Sequence, residues 1–182
     1  MTNHIDLGTV LRQTLSANLY SNLVTRPTGA AVRGQIELML RASERSLTVI
    51  DFSHVSMIDF SCADEVIAKL LLSRGLQDRE AYFVFRGMTD DHWDAIEAVL
   101  ERHGLALVVE RDHGVELVGV LDDREVRLFQ AMKHRGGSAA AWELAIDMNE
   151  QESTTGLLLE RMWRRRLIMR DGDAYMPVGE LA

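Results

Sequence analysis

The chain has 182 residues, 47% of them hydrophobic and 26% charged, with 28 acidic against 20 basic side chains and a net charge of −8. This near-average composition argues against a disordered or fibrous chain, and no apolar run approaches the length of a membrane span. Cys62 is the single cysteine, so no intrachain disulfide can form and a reducing compartment is expected. The acid is concentrated early: residues 1–123 hold 11 basic and 19 acidic side chains, whereas 124–182 hold 9 of each. The acidic body disfavours a general nucleic-acid surface, which needs clustered positive charge. The N-terminus lacks a basic segment followed by an apolar run, so no signal peptide and a cytoplasmic location are expected.

Residues 8–19 carry apolar side chains at 10, 11, 15 and 19, a weak helical spacing. Leu23-Val24-Thr25 suits a short strand, and Pro27 suits the first turn of a helix over 28–42. LTVIDF (47–52) is a β-branched, buried strand, followed by an apolar helix over 62–73 with a glycine stop at Arg74-Gly75. AYFVFR (81–86) is the next strand. Thr89-Asp90-Asp91 begins a helix that turns Trp93, Ile96, Val99 and Leu100 to one face and ends at His103-Gly104. LALVVE (105–110) and residues 115–120 add two more strands. Strands alternating with helices from about 23 to 120 predict an α/β fold with a mostly parallel sheet and helices packed on it.

The pattern changes after Asp122-Asp123. A helix is expected over 124–134, a second over 139–148 capped by Ser138, and a third over 151–166 with Leu157, Leu158, Met162 and Trp163 inward. Leu167–Arg170 and Ala174–Pro177 flank Asp171-Gly172-Asp173 as a hairpin. Three helices and a hairpin outline a small α+β, winged-helix-like domain. The expected division is 1–122 and 123–182.

LTVIDFSHVSMIDFSCADEVIAKLL (47–71) resembles the signature of STAS domains, the fold of anti-sigma factor antagonists. The likeness is nearest to a bacterial STAS-like group with a serine-x-alanine-aspartate-glutamate helix start; VTRPTGAAVR (24–33) and AYFVFRG (81–87) also look like that group. Asp51 matches the family's strand aspartate, Asp59 its turn aspartate and Ser61 the serine phosphorylated in classical members; Phe60 and Cys62 depart from the family's serine and glycine. The resemblance spans about residues 5–120. It implies a protein-binding module in a regulatory circuit, with a serine kinase or anti-sigma factor as partner and Ser61 as the phosphorylation site. The partner-binding surface would be drawn from Asp59, Phe60, Ser61, Cys62, Asp64, Glu65 and Lys69.

Each of these residues also has a plain structural role. Ser61 can cap the helix, with Ser61-x-x-Asp64 close to a capping box. As a switch, a phosphoryl group there would meet Asp59, Asp64 and Glu65, with no basic residue nearby in sequence. Cys62 at a helix start is open to a lowered pKa, but reads first as a small buried hydrophobe. Asp64 and Glu65 are adjacent on a helix, point about 100° apart, and need a second element to act as an acid–base pair. The six histidines (4, 54, 92, 103, 113 and 134) show no metal-ligand spacing, and no phosphate-binding glycine loop is present, so no metal and no cofactor are expected. Arg164-Arg165-Arg166 is the single basic run. With Gln151, Thr154 and Thr155 it would form the DNA contact of a winged helix, though Glu150 and Glu152 would oppose phosphates. A regulatory interaction protein without catalytic activity is the first expectation. A DNA-binding winged-helix regulator is the second, and an enzyme using Ser61 or Cys62 the third.

Overall fold

A computed structural model describes residues 2–17, 20–44, 46–73 and 80–179. The strands are β1 (Asn3–Asp6), β2 (Asn22–Leu23), β3 (Leu47–Asp51), β4 (Met57–Ile58), β5 (Tyr82–Arg86), β6 (Ala106–Arg111), β7 (Gly114–Gly119), β8 (Ala139–Ala140), β9 (Ile168–Asp171) and β10 (Ala174–Pro177). The helices are α1 (Leu7–Leu15), α2 (Arg26–Ala42), α3 (Phe60–Ala63), α4 (Lys69–Leu71), α5 (Asp90–His103), α6 (Asp123–Arg135), α7 (Ala141–Met148) and α8 (Glu152–Arg164). A π-helical stretch, Asp64–Ala68, runs between α3 and α4. The architecture is α/β: a five-strand, mostly parallel sheet in the order β1-β3-β5-β6-β7, and a small antiparallel sheet in the order β8-β10-β9. The chain divides into two compact units, Met1–Leu105 and Ala106–Ala182.

In the first unit, β3 pairs in parallel with β1 (Ile50 with Ile5) and β5 (Ile50 with Phe85). Burial on both faces explains the unbroken apolar runs of β3 and β5. The strand β1 was not anticipated, because NHID has only one buried side chain, Ile5. The helix expected over 8–19 ends at Leu15, where Ser16 turns left-handed; Leu19 and the stop at Arg74-Gly75 lie outside the described residues. The expected strand 23–25 is only Asn22–Leu23, paired with β4.

In α5 the buried face includes His92, not anticipated, while Trp93 is only half-buried. The Thr89 amide donates to His92 Nδ1 (3.1 Å), so Nε2 carries the proton and donates to the Val55 carbonyl (3.0 Å). Both ring nitrogens are therefore satisfied inside the core. The contact between α2 and α3 is close enough to exclude a side chain at Gly29. A Cβ there would lie 2.9 Å from Cys62 Cα and 3.1 Å from its Sγ.

The second unit opens with the β6–β7 antiparallel hairpin. Asp122 caps α6 by accepting from the Glu125 amide (2.8 Å), and the Asp122 amide in turn donates to the Glu125 carboxylate (3.0 Å). The cap of α7 is Ala140, not Ser138, because 139–140 pair with β10 as β8 and the helix begins after them. Glu143 then reaches back to the Ala140 amide (2.8 Å). Leu158 and Met162 are buried as expected, but Leu157 is 76% exposed and Trp163 half-buried. The buried row of α8 is Thr155, Leu158, Leu159 and Met162, spaced by three, four and seven, and Leu157 falls off that stripe.

Gly29→Ala is expected to lower the unfolding free energy by about 1–3 kcal/mol, because the added methyl meets the Cys62 backbone rather than a movable side-chain end. Urea denaturation would measure this; an unchanged midpoint would mean that the helices can separate freely.

Candidate functional site

The site forms where β4 delivers the chain into α3. Asp59 has extended backbone (φ −89°, ψ 166°) and is the helix cap. Its Oδ1 accepts from the Cys62 amide (2.8 Å) and the Ser61 hydroxyl (2.8 Å), while Oδ2 accepts from the Thr25 amide (2.9 Å). The capping role expected of Ser61 therefore belongs to Asp59, since Ser61 already lies inside the first turn and donates back to the cap. Burial pushes the Asp59 carboxyl up, but the Thr25 and Cys62 amides and the Ser61 hydroxyl outweigh it and hold it below its usual value.

Cys62 is fully buried and its thiol donates to the Thr25 carbonyl (3.0 Å). Burial, then the negative charge of Asp59, push its pKa up to about 12, so it is a thiol and a poor nucleophile at neutral pH. Thr25 itself has φ 73° and ψ 136°, a conformation that a β-branched residue rarely adopts. Bonds at its amide and carbonyl hold it there: Asp59 accepts from the amide, and the carbonyl accepts from both Cys62 and the Gly29 amide.

Asp64 and Glu65 lie in the π-helical stretch and are buried, at 7% and 2% exposure. A single guanidinium nitrogen, Arg26 Nη1, bonds both, at 2.7 Å to Asp64 and 2.8 Å to Glu65. Asp64 also bonds His103 (2.7 Å), while Glu65 takes Arg33 (3.3 Å) and Lys69. Arg33 in turn bonds Glu37 (2.9 Å). Burial raises both carboxyls, but the bonds from Arg26 and His103 to Asp64, and from Lys69 and Arg26 to Glu65, lower them further, below 3.8 and 4.5 respectively. Sequence spacing showed no cation near this turn; α2 and α5 supply Arg26, Arg33 and His103, and the Arg102 guanidinium lies 5.6 Å from the Phe60 ring centre. Arg26, at the first position of α2, stands at the end of the helix dipole unfavourable to a cation, and the two carboxylates offset this.

Of the seven residues expected at a partner surface, Lys69 is exposed and Asp59, Phe60 and Ser61 are half-buried; Cys62, Asp64 and Glu65 are buried. The strand aspartate Asp51 accepts from the Ser53 amide (2.9 Å) and from Arg86 (2.8 Å), its register neighbour on β5.

Among the residues expected to touch DNA, Gln151 and Thr154 are exposed, and so is Arg164, beside Glu160 (2.9 Å). Thr155 is fully buried and turns away from solvent, because it shares the inward row of α8. Arg165 reaches inward, to buried Glu125 (2.6 Å) and the Val120 carbonyl (2.5 Å). Arg166 has φ 60° and forms the turn into β9, its amide bonded to the Trp163 carbonyl (2.8 Å). Glu125 was not anticipated as a partner; its position in the Asp122-x-x-Glu125 capping box was the available signal.

Among the described residues, no group of three or more His, Cys, Asp or Glu could hold a metal ion, and no helix is long and apolar enough to cross a membrane. In comparisons with protein-family models, curated proteins and solved structures, nothing matches this chain.

Glu65→Ala is expected to cost about 1–3 kcal/mol in chemical denaturation, the range for charged hydrogen bonds lost from a buried site. Because the folded carboxyls of Asp64 and Glu65 lie below 3.8 and 4.5, their stabilisation is complete above those values and is lost as pH falls through the lowered folded values. Glu65→Gln should therefore flatten the acid limb of the stability curve, and a curve parallel to the wild type would refute the network's role. Thr25→Gly is expected to raise the melting temperature by relieving the positive φ, whereas Thr25→Ala, which keeps a Cβ there, should not.

Proposed function

We propose that the chain is a non-enzymatic regulatory interaction protein, similar to the STAS-domain anti-sigma factor antagonists, and that it binds a regulatory protein through the α3 end of its first unit. The observation that carries this reading is the state of the reactive groups at that end. Cys62 is protonated and enclosed, Asp64 and Glu65 are held in ion pairs, and Asp59 is occupied in capping. Ser61 is half-buried at the helix start, with its hydroxyl donating to Asp59 (2.8 Å). Phosphorylation would add a charge of about −2 beside Asp59 and replace the proton that Ser61 donates to it. Arg26, already bound to Asp64 and Glu65, would be drawn toward the new charge, so modification would loosen the α2–α3 junction as well as change the outer surface. The docking surface is narrower than the sequence suggests and is carried by Asp59, Phe60, Ser61 and Lys69. The partner's class is a serine kinase or an anti-sigma factor.

A second reading, transcription regulation by DNA binding through the second unit, is supported by the outward placement of Gln151, Thr154 and Arg164. It is weakened by the internal use of Thr155 and Arg165.

A purified serine kinase and an anti-sigma factor are the reagents for the test. Mass spectrometry after incubation with kinase and ATP should find phosphate on Ser61. Calorimetric titration should show Ser61→Glu binding its partner at least about tenfold more weakly, or about 1.4 kcal/mol. An unmodified Ser61 peptide together with equal affinities would remove the proposal. A gel shift of duplex DNA at low salt, lost in Arg164→Glu, would favour the second reading instead.

A further inference from the structure

His54, in the segment between β3 and β4, is held by one ring nitrogen and leaves the other open. Its Nδ1 lies 3.0 Å from Asp6 Oδ2, and its side chain is 65% exposed. A carboxylate can only accept, so Nδ1 carries the proton and the neutral ring presents an unprotonated Nε2. No bond from the described residues reaches Nε2. Burial pushes the Asp6 carboxyl up, but the bonds from Thr9 and His54 outweigh this and hold it below its usual value, so Asp6 is charged. An exposed imidazole nitrogen with a carboxylate fixing the ring behind it is the arrangement of an oriented nucleophile.

The backbone is built to allow the pair. A Cβ at Gly8 would lie 2.5 Å from His54 Cβ and 2.7 Å from the His54 carbonyl oxygen, so only glycine lets this segment approach the start of α1. The Gly8 amide donates to Asp6 Oδ1 (3.0 Å). Asp6 therefore caps α1 with one oxygen and orients His54 with the other.

The other histidines lack this combination. His4, His113 and His134 are exposed but meet no carboxylate among the described residues. His92 spends both ring nitrogens in the core. His103 meets its carboxylate through Nε2, and that carboxylate, Asp64, is already bonded to Arg26.

The neighbouring charge selects the electrophile. Arg12 Nη2 donates to the Thr9 hydroxyl (3.2 Å), and that hydroxyl donates to the same Asp6 Oδ2 (2.7 Å). A single hydroxyl thus joins Arg12 to the carboxylate that holds His54. No carboxylate among the described residues neutralises Arg12, which lines a cavity of about 510 Å³ with Thr9, Gln13 and Ser16. An unneutralised guanidinium close to an oriented imidazole fits an anionic, phosphoryl-bearing molecule better than an uncharged one.

We propose that His54 is a phosphoryl-acceptor site, with Asp6 orienting its ring, Arg12 meeting the phosphoryl oxygens, and an acyl phosphate as the class of donor. Nε2 gives its electron pair to phosphorus while the bond from phosphorus to the acyl oxygen breaks, and that pair leaves with the carboxylate product. No proton moves: Nδ1 keeps its own, and the ring becomes cationic against Asp6, which stabilises the charge as it forms. This inference is independent of the switch at Ser61.

Acetyl phosphate with the full chain tests it. Peptide mass spectrometry under alkaline conditions, which preserve phosphohistidine, reads each histidine separately. Phosphate should accumulate on His54 at least about tenfold faster than on His4, His113 or His134. Asp6→Asn retains a good helix cap and, with folding verified by circular dichroism, should abolish that advantage. Arg12→Gln should slow phosphorylation of His54 without slowing its modification by uncharged diethyl pyrocarbonate. Labelling of His54 no faster than that of the three exposed histidines would overturn the proposal, as would an advantage that survives Asp6→Asn. Phosphorylation unaffected by Arg12→Gln would overturn the assignment of the phosphoryl donor.

Discussion

The junction between the starts of α2 and α3 constrains the first unit through several kinds of bond at once. Two short sequences far apart in the chain, Thr25-Arg26 and Asp59–Glu65, are joined there by bonds of different kinds: an amide to the Asp59 carboxylate, a thiol to a carbonyl, and a guanidinium to two buried carboxylates. The strained backbone of Thr25 persists because these bonds over-determine it. Gly29 permits the close approach, and Pro27 starts α2 with a fixed φ at the required point. Removing any one component exposes the unsatisfied partners of the others, which makes the junction cooperative.

The same junction decides the chemical character of the site. A carboxylate pair beside a cysteine at a helix start has the components of a catalytic centre, yet each group is in the wrong state for it. The thiol is raised far above neutral pH by burial and by the nearby Asp59 charge, and the carboxylates are lowered and ion-paired. Groups arranged this way hold two helices in register. The Ser61 hydroxyl meets this clamp at the Asp59 carboxylate.

The second unit has a parallel organisation on a smaller scale. Glu125 closes the cap of α6 and is itself gripped by Arg161 and Arg165 from the end of α8. Arg165, which looks like a phosphate contact in the sequence, instead joins Arg161 in fastening the third helix to the first. The outer face of α8 keeps Leu157 exposed, with Arg164 beside Glu160.

Much of the architecture was legible from local pattern. The apolar runs LTVIDF and AYFVFR fold as buried parallel strands, α5 and α6 begin and end within a residue of their signals, and the Asp171-Gly172-Asp173 turn makes the expected hairpin. Period, caps and turn residues are short-range properties, so a single sequence contains them. What the chain could not disclose locally is which distant groups meet. The strand β1 exists because Ile5 completes the edge of a sheet, not because NHID favours a strand. Asp59 rather than Ser61 caps α3 because the helix begins at Phe60, and Thr25 from another segment bonds the second oxygen of its carboxylate. Asp64 and Glu65 are buried rather than exposed because Arg26 arrives from a position 38 residues before Asp64. The amino-acid sequence by itself determined the order and type of most elements, through spacing, caps and turns; only the tertiary structure decided the protonation and exposure of the groups at the α3 turn, because desolvation and ion pairing depend on neighbours that the fold, not the chain order, provides.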